Sequence, residues 1–475
     1  MVQEHSRETK PAVSKRTLSR RSLVAGAMSA GAGLSMAAAG TSLAAGTTHR
    51  PTAALAQDKV KLTFMSRGGE YIAGVVDQQI AAFNTIHPEI EIKQEAAAGD
   101  FVQKIQLDAA AGNLADAWFD ANRTTGPFFH AGLIENLDPY LAADSSFVED
   151  EFIPQAFIAQ TYEGSRWGLP WDSGAMAMIY NIDLLNEAGV ALPDPKTPMT
   201  WDQLLEMAKQ LTRDMNDKRP GDDGFDPSAI KVYGLQTDLT NGLPQWVQSN
   251  GGEIIQPDTS GAEPLIAPID SPEAIEAFQF LADLGTVHFV APSPKYVQSQ
   301  EISLASSTVA ISHNGVWQRG RLNDAGINWG VAPFPIRKKQ ISYGHYSPLV
   351  IAASSEHKQE AFTYVLWATS SKEGQQILVD TGTQQPTRKD LTEAFINSDT
   401  PPSAEYRQVF YDAWNADTFR WPGDSIGSYW NGWAQAKNDL WATELDPLWT
   451  GEVRYEEIAA DFRAKTEKVL RTGEA

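Results

Sequence analysis

The sequence predicts an α/β protein of two domains, each a mainly parallel sheet covered by helices, and three observations carry that reading. With 475 residues the chain exceeds one ordinary domain and suits two, each with a sizeable core. From Lys61 to Phe119 extended and helical periodicities alternate, which is the order that builds a parallel sheet with helices on its faces. The third is the stretch Trp167 to Asn186, WGLPWDSGAMAMIYNIDLLN, where Met176, Met178 and Tyr180 alternate with Ala175, Ala177 and Ile179 as a buried strand. A polar-aromatic turn, Leu169-Pro170-Trp171-Asp172, is expected to break that stretch, and a helix to start at Asn181. An uncompensated buried Asp172 would cost about 2–7 kcal/mol, so it is expected to face a wet cleft.

Taken in order, Lys61 to Met65 alternates as a strand and turns at Ser66 to Tyr71. Val76, Ile80 and Phe83 mark a helix that ends at His87-Pro88. Ile90 and Ile92 form a second strand, Phe101 to Ala111 a helix, and Asp116 to Phe119 a third strand opening into Asp120 to Arg123. Because ligands of such sheets sit beyond the carboxyl ends of strands, the rule singles out Arg67 to Tyr71 and Asp120 to Arg123. Farther on, Thr200-x-x-Gln203 reads as a capping box for a helix carrying Leu204, Ala208 and Leu211. Residues 213–227 form an Asp-rich insertion, but the alternating Asp spacing that wraps a hard cation is missing, so a solvated loop is favoured over a metal site. Asn241 to Trp246 begins a helix, and Ser271-Pro272 caps another. Ser307 to Ile311 is a strand, Trp329 to Pro333 another, and Pro348 to Ala353 a third. Glu356 to Ala368 is helical, Ser370-x-x-Glu373 reads as a second capping box, and Ala404 to Leu470 is helical in pattern and dense in Trp.

The formal charge is −22, and residues after the first 56 hold 31 basic and 58 acidic side chains, or −27. Such a surface repels phosphate backbones and anionic lipid, so nucleic acid and membrane surfaces are poor partners. The absence of cysteine excludes disulfides, thiolate metal sites, a cysteine nucleophile and a lipid-modified N-terminal cysteine. At the N-terminus, Ser19-Arg20-Arg21-Ser22-Leu23-Val24 after a basic leader and before an Ala/Gly-rich stretch resembles a twin-arginine export signal. That stretch is too interrupted for a membrane span, and cleavage is expected after Ala56 or near Ala44.

The stretch from Gly168 to Asn181 running into Met199 to Leu204, then His313-Asn314-Gly315-Val316-Trp317, Tyr343 to Ser347 and Gln384 to Arg388, resembles in this order the bacterial extracellular solute-binding proteins of the carbohydrate-uptake type. The resemblance implies the type II, maltose-binding-protein-like periplasmic-binding-protein fold, with two lobes joined by three hinge crossings. It divides the chain into a leader 1–56, lobe one from 57–172 and 331–368, and lobe two from 173–330 and 369–475. It also implies a monomer in the periplasm or cell envelope that needs no cofactor. The ligand would be a carbohydrate bound by hinge closure and delivered to ABC permease subunits driven by a separate ATPase.

A sugar needs planar aromatics against its CH face and carboxylate, amide or guanidinium groups for its hydroxyls. Among 14 Trp, those at loop mouths are the stacking candidates, Trp171, Trp317 and Trp430, with Trp246, Tyr71 and Tyr346 behind them. Trp118, Trp201, Trp329, Trp367, Trp441 and Trp449 lie inside strand or helix patterns and read as core. The polar candidates are Glu70, Asp120, Asn122, Asp172, Asn241 and His345, each of which could equally be a solvated charge or a helix cap. Arg67 and Arg123 could bind hydroxyls or a substrate carboxylate, or pair with Glu70 or Asp120. A polyol, a sugar acid or a glycerol phosphodiester is the alternative ligand. An enzyme reading is weaker: Gly423-Asp424-Ser425-Ile426-Gly427 has the form of a nucleophile elbow, yet Trp421-Pro422 precedes it and the last histidine is His357. A secreted glycoside hydrolase stays open, since its two carboxylates have no sequence spacing to find.

Overall fold

The computed structural model describes residues 59–473 apart from 68–69, 98–100, 163, 240–241, 257–265, 300–301, 383, 416–418 and 421–431. The expected leader and the Gly423 to Gly427 motif therefore lie outside the described residues. The first half follows the predicted alternation. Strands β1 (Val60–Ser66), β2 (Ile90–Ala96) and β3 (Ala117–Phe119) lie parallel, linked by helices α1 (Glu70–Ile86) and α2 (Phe101–Ala111). Helices α3 (Asn122–His130) and α4 (Asp138–Ala143) follow, then a short hairpin of β4 (Thr161–Tyr162) and β5 (Ser165–Arg166).

Strand β6 (Leu169–Asn181) runs 13 residues, all of them buried. The turn expected at Leu169 to Asp172 is absent; those residues open the strand. Opposite them on β11 (Ser342–Ile351) the register shifts between Ser347 and Pro348. Pro170 has no N–H to give the ladder, so the irregularity is absorbed as a bulge within the strand and the chain does not turn. Asn181 then caps helix α5 (Ile182–Glu187), its side-chain oxygen accepting from the N–H groups of Asp183 and Leu184.

Helix α6 (Trp201–Leu211) carries the predicted capping box: Thr200 Oγ1 accepts from Gln203 N–H at 3.1 Å, and Gln203 Oε1 from Thr200 N–H at 2.8 Å. After β7 (Arg213–Asp214) the Asp-rich insertion folds round Asp214, which takes N–H bonds from Asn216, Lys218 and Asp226 at 2.8–2.9 Å. Burial would raise that carboxyl, but these donors outweigh it and hold it below the ordinary range. Then come β8 (Ile230–Gln236), α7 (Leu243–Ser249), α8 (Pro272–Thr286) and α9 (Pro294–Ser299), with Ser271 Oγ capping α8 by accepting from Ala274 N–H. Strand β9 (Val309–Gly315) leads through a tight turn to α10 (Arg319–Asp324), and β10 (Trp329–Ala332) pairs with the end of β6. The chain closes with α11 (Lys358–Ser370), α12 (Lys372–Thr381), α13 (Thr392–Ile396), α14 (Ala404–Asn415), β12 (Phe419–Arg420) and α15 (Tyr455–Thr472). The cap of α12 is Ser371, whose side chain accepts from Gly374 N–H, one residue later than the expected Ser370.

The strands form one ten-stranded sheet of order β2-β1-β3-β11-β6-β9-β8-β7, with β10 beside β6 and β12 beside β11. Strands β2-β1-β3 and β9-β8 pair in parallel, the edge strand β7 runs antiparallel to β8, and the antiparallel β11-β6-β9 segment joins the two ends. One hydrophobic cluster (Leu62, Phe64, Phe83, Phe119, Leu349, Val365) holds the β1–β3 end. Another (Met178, Trp201, Trp246, Phe278, Phe462) holds the β8–β9 end, and a third (Ala177, Ile179, Trp329, Tyr346, Trp414) packs on β6 between them. Leu378 of α12 belongs to the first cluster, and Gln79 of α1 donates from Nε2 to the carbonyls of Ala368 (3.2 Å) and Gly374 (2.8 Å).

Candidate functional site

Where the antiparallel strands join the two ends, one sheet face gathers groups distant in sequence. The turn after β9 lays Trp317 across two glycines. A Cβ at Gly174 would come 3.1 Å from the indole Cε3, and one at Gly315 would come 2.1 Å from Cζ3. Gly315 leaves no room for a side chain beneath the ring, and Gly174 lets the ring lie flat where a Cβ would crowd it. His345, directly opposite Gly174 on β11, stands edge-on to that ring with centroids 5.5 Å apart, and Tyr343 lies 5.8 Å beyond it. Farther along the same pairing, Asp172 accepts the Ser347 N–H at 2.8 Å through Oδ1.

Two carboxylates and one guanidinium define the electrostatics. Asp120, at the carboxyl end of β3, is fully buried and accepts from the hydroxyls of Thr124 and Thr125 in the first turn of α3, the latter at 2.9 Å. Burial pushes its carboxyl up to about 6, against the pull of those hydroxyls and of Arg67. Burial likewise pushes Asp172 up to about 7, opposed by Ser347 and by Arg67. Arg67, at the end of β1, also lies over the Phe101 ring at 5.6 Å. An aspartate raised above its ordinary 3.8 adds stability at acid pH, and that stability is lost as pH rises through the folded value. Asp172→Asn is therefore expected to gain in melting temperature relative to wild type as pH is raised from about 4 to about 8. Parallel melting curves across that range would mean that Asp172 ionises as an ordinary aspartate.

A cavity of about 320 Å³ opens at the carboxyl ends of β8 and β9, lined among others by Gln236, Ser312, Asn314, Gln318 and Arg321. A second hollow of about 190 Å³ shares Gln236, Ser312 and Asn314 and adds Asp238 and His313. Sequence reasoning quoted Asn314 within a motif but missed Gln236, Asp238, Ser312, Gln318 and Arg321. The strand-end rule would have found Gln236 and Asp238 had it been applied to β8 as it was to β1 and β3.

The structure brings together Arg67, Asp120, Asp172, Trp317 and His345 of the predicted residues. Three others are corrected to core positions. Trp171 is fully buried against Phe119, its Nε1–H donating to Gln79 Oε1 at 2.7 Å. Trp246 is fully buried among Trp201 and Phe334, donating from Nε1 to His313 Nδ1 at 3.2 Å. Tyr346 alternates to the opposite sheet face from His345 and packs on Trp414 with ring centroids 4.2 Å apart. In each case a neighbouring element covers an aromatic that the sequence placed beside a loop. Tyr71 lies at the start of α1 with its hydroxyl donating to Asp324 of α10. Glu70, Asn122 and Arg123 begin α1 and α3, and their side chains lie outside the described residues, as do Asn241 and Trp430 altogether. Among the described residues no group of three or more His, Asp or Glu side chains stands together as metal ligands, and no helix is long and apolar enough to cross a membrane.

Comparison with known proteins agrees with this architecture. The chain is 29% identical over 303 residues to the maltotriose-binding protein of Pyrococcus abyssi, covering 62% of this chain and 59% of that one. It is 26% identical over 275 residues to the arabinooligosaccharide-binding protein of Halalkalibacterium halodurans, covering 56% and 55% respectively. The matched region thus spans less than two thirds of either relative. An ABC substrate-binding protein of Listeria monocytogenes in complex with cycloalternan superposes with a TM-score of 0.74 at 22% identity, covering 88% of this chain and all of that one. A maltose-bound MalE3 of T. maritima gives 0.66 at 21% identity, covering 86% and 100%. These likenesses establish the fold, the type II periplasmic-binding-protein fold. The family model for bacterial extracellular solute-binding proteins matches residues 78–406, and the chain belongs to that family.

Proposed function

We propose that this chain is the extracytoplasmic binding protein of an ABC importer and that it takes a mono- to oligosaccharide in the cleft flanked by Trp317. The observation that carries the reading is the indole laid on Gly174 and Gly315 beside His345. A partly exposed aromatic plane held at a fixed angle is what the CH face of a polyhydroxylated ring requires. The saccharide-binding relatives from Pyrococcus abyssi and Halalkalibacterium halodurans support the same class. The anionic alternative is weakened because Arg67 already lies under the influence of both Asp120 and Asp172. No turnover is invoked: ligand bridges the two ends of the sheet and favours the closed arrangement. One lobe would comprise the β1–β3 end with residues to α12, the other the β8–β9 end with α15. Export by the twin-arginine route, retention in the envelope without a lipid anchor, and delivery to a permease with its ATPase on another chain complete the proposal.

The test is intrinsic Trp fluorescence and melting temperature of the purified chain against a panel of sugars, polyols and sugar acids. A saturable signal with a sugar, and stabilisation by about 2.7 kcal/mol at a hundredfold excess over Kd, is expected. A response confined to sugar acids would select the anionic reading, and release of reducing ends from a glycoside would select the hydrolase.

A further inference from the structure

The loop between α13 and α14 closes around two guanidiniums that take no part in the site described above. Arg319, at the start of α10, is 1% exposed, and Arg407, in the first turn of α14, is 2% exposed. Arg407 donates to the loop carbonyls of Ile396, Ser398, Thr400 and Pro402. Arg319 donates from Nε to the Pro401 carbonyl at 2.9 Å, and from Nη2 to the hydroxyls of Ser398, at 2.9 Å, and of Thr400. Every one of these acceptors is neutral. Among the described residues neither guanidinium forms an ion pair with a carboxylate, and the acid whose charge reaches Arg407, Asp399, is exposed on the loop. Nη1 of Arg319 is buried and has no acceptor at all.

Two positive charges thus share one dry loop with no negative charge in contact. A buried ion is costly unless an opposite charge and hydrogen bonds accompany it. Burial, and then the charge of Arg407, pull Arg319 down to about 10, so at neutral pH it stays charged and the cost stands. We propose that this loop is a binding site for a small monovalent inorganic anion, a halide such as chloride, seated on Arg319 Nη1. A water would accept an Nη1 hydrogen but bring no charge, whereas a halide supplies both and makes no demand on donor direction. The surroundings favour the smallest class of anion. The Phe395 ring lies 5.6 Å from the guanidinium carbon of Arg319, and a Cβ on Gly382 would come 3.2 Å from that carbon. A carboxylate or a phosphate ester would have to bring its carbon skeleton past these covers; a halide brings none. The anion pins the loop to α10, which begins two residues after Trp317, and so steadies the turn that presents that indole. The site is independent of which solute enters the cleft.

The test is thermal unfolding of the purified chain, without sugar, as sodium gluconate is replaced by sodium bromide at constant ionic strength. Wild type is expected to rise along a saturable curve by on the order of 2–4 °C, the form that mass action gives a single site. The chain's net charge of −22 repels anions, so diffuse attraction does not imitate that saturation. Arg319→Met keeps an unbranched side chain and removes the guanidinium, and its melting temperature is expected to ignore bromide. Equal melting in the two salts, a linear drift without saturation, or the same curve in Arg319→Met overturns the proposal. Should Arg319→Met fail to fold, anomalous scattering from bromide in wild-type crystals decides. A peak within hydrogen-bond reach of Arg319 Nη1 supports the site, and peaks at surface positions alone, adventitious ions only, overturn it. No sugar enters either measurement, so a failure of the sugar reading leaves this result standing.

Discussion

Trp317→Ala is expected to weaken binding of whichever sugar gives the saturable response by roughly 30- to 150-fold, about 2–3 kcal/mol, the loss typical of an aromatic anchor at the centre of an interface. The ring is only partly buried in the free chain, so its removal leaves the sheet's cores intact and the melting temperature close to wild type. What disappears is a platform already held at the right angle. The two glycines fix the plane from below, and His345 limits sliding from the side. A conservative partner sharpens the test. Gly174→Ala places a methyl 3.1 Å from the indole, tight enough to tilt the ring by a few tenths of an ångström, and a smaller loss of affinity is expected. Titration calorimetry on both variants reads the effect directly. Undiminished affinity in Trp317→Ala would remove the indole from the ligand site and leave the carboxylates without a stacking partner.

The elements were legible wherever the sequence repeats its own pattern. Val76, Ile80 and Phe83 return at helical spacing and mark α1, Thr200 and Gln203 announce α6, and the unbroken apolar run to Asn181 marks a strand buried on both faces. The bulge at Pro170 was not legible, because it depends on the register of β11, more than 170 residues later. The same limit explains the tryptophans. Trp171 and Trp317 both adjoin turn-like residues, and nothing local distinguishes them. Trp171 is buried because α1 brings Gln79 over it, whereas Trp317 is presented because Gly174 lies under it. Asp172 was read as a cleft group on the cost of burying a charge, and Asp120 from its place beyond the carboxyl end of a strand. The structure buries both and raises both, with Arg67 near, so the wet cleft expected around Asp172 is not found, because the assembled sheet covers a carboxyl whose local sequence shows no cover. The lining of the two hollows at the β8–β9 end escaped altogether, since Gln236, Asp238 and Ser312 bring neither aromatic nor motif and come together only when β8 and β9 end side by side.

Trp171→Ala is expected to have the opposite profile to Trp317→Ala, with stability lost by about 3–5 kcal/mol, as for other large aromatic deletions from a core. The indole fills the space beneath β6 against Phe119 at a centroid distance of 5.0 Å, and its loss leaves a cavity between the sheet and α1. Polar consequences follow from the same deletion. Gln79 Oε1 loses its donor, while its Nε2 still ties α1 to the carbonyls of Ala368 and Gly374 at the junction of α11 and α12. Gln375, which donates to the Trp171 carbonyl at 2.7 Å, would keep its bond to a strand that has shifted. Trp171→Phe separates the two contributions: it keeps most of the volume and removes only the N–H, so about 1–3 kcal/mol is expected from the unpaired Gln79 oxygen. Urea unfolding read at the midpoint, with the slope checked for unchanged surface exposure, measures both variants. Sugar affinity of the folded Trp171→Phe chain should match wild type, because nothing at the cleft face depends on that nitrogen. A Trp171→Ala chain that unfolded like wild type but bound nothing would move Trp171 out of the core and into the ligand site, reversing the roles of the two indoles.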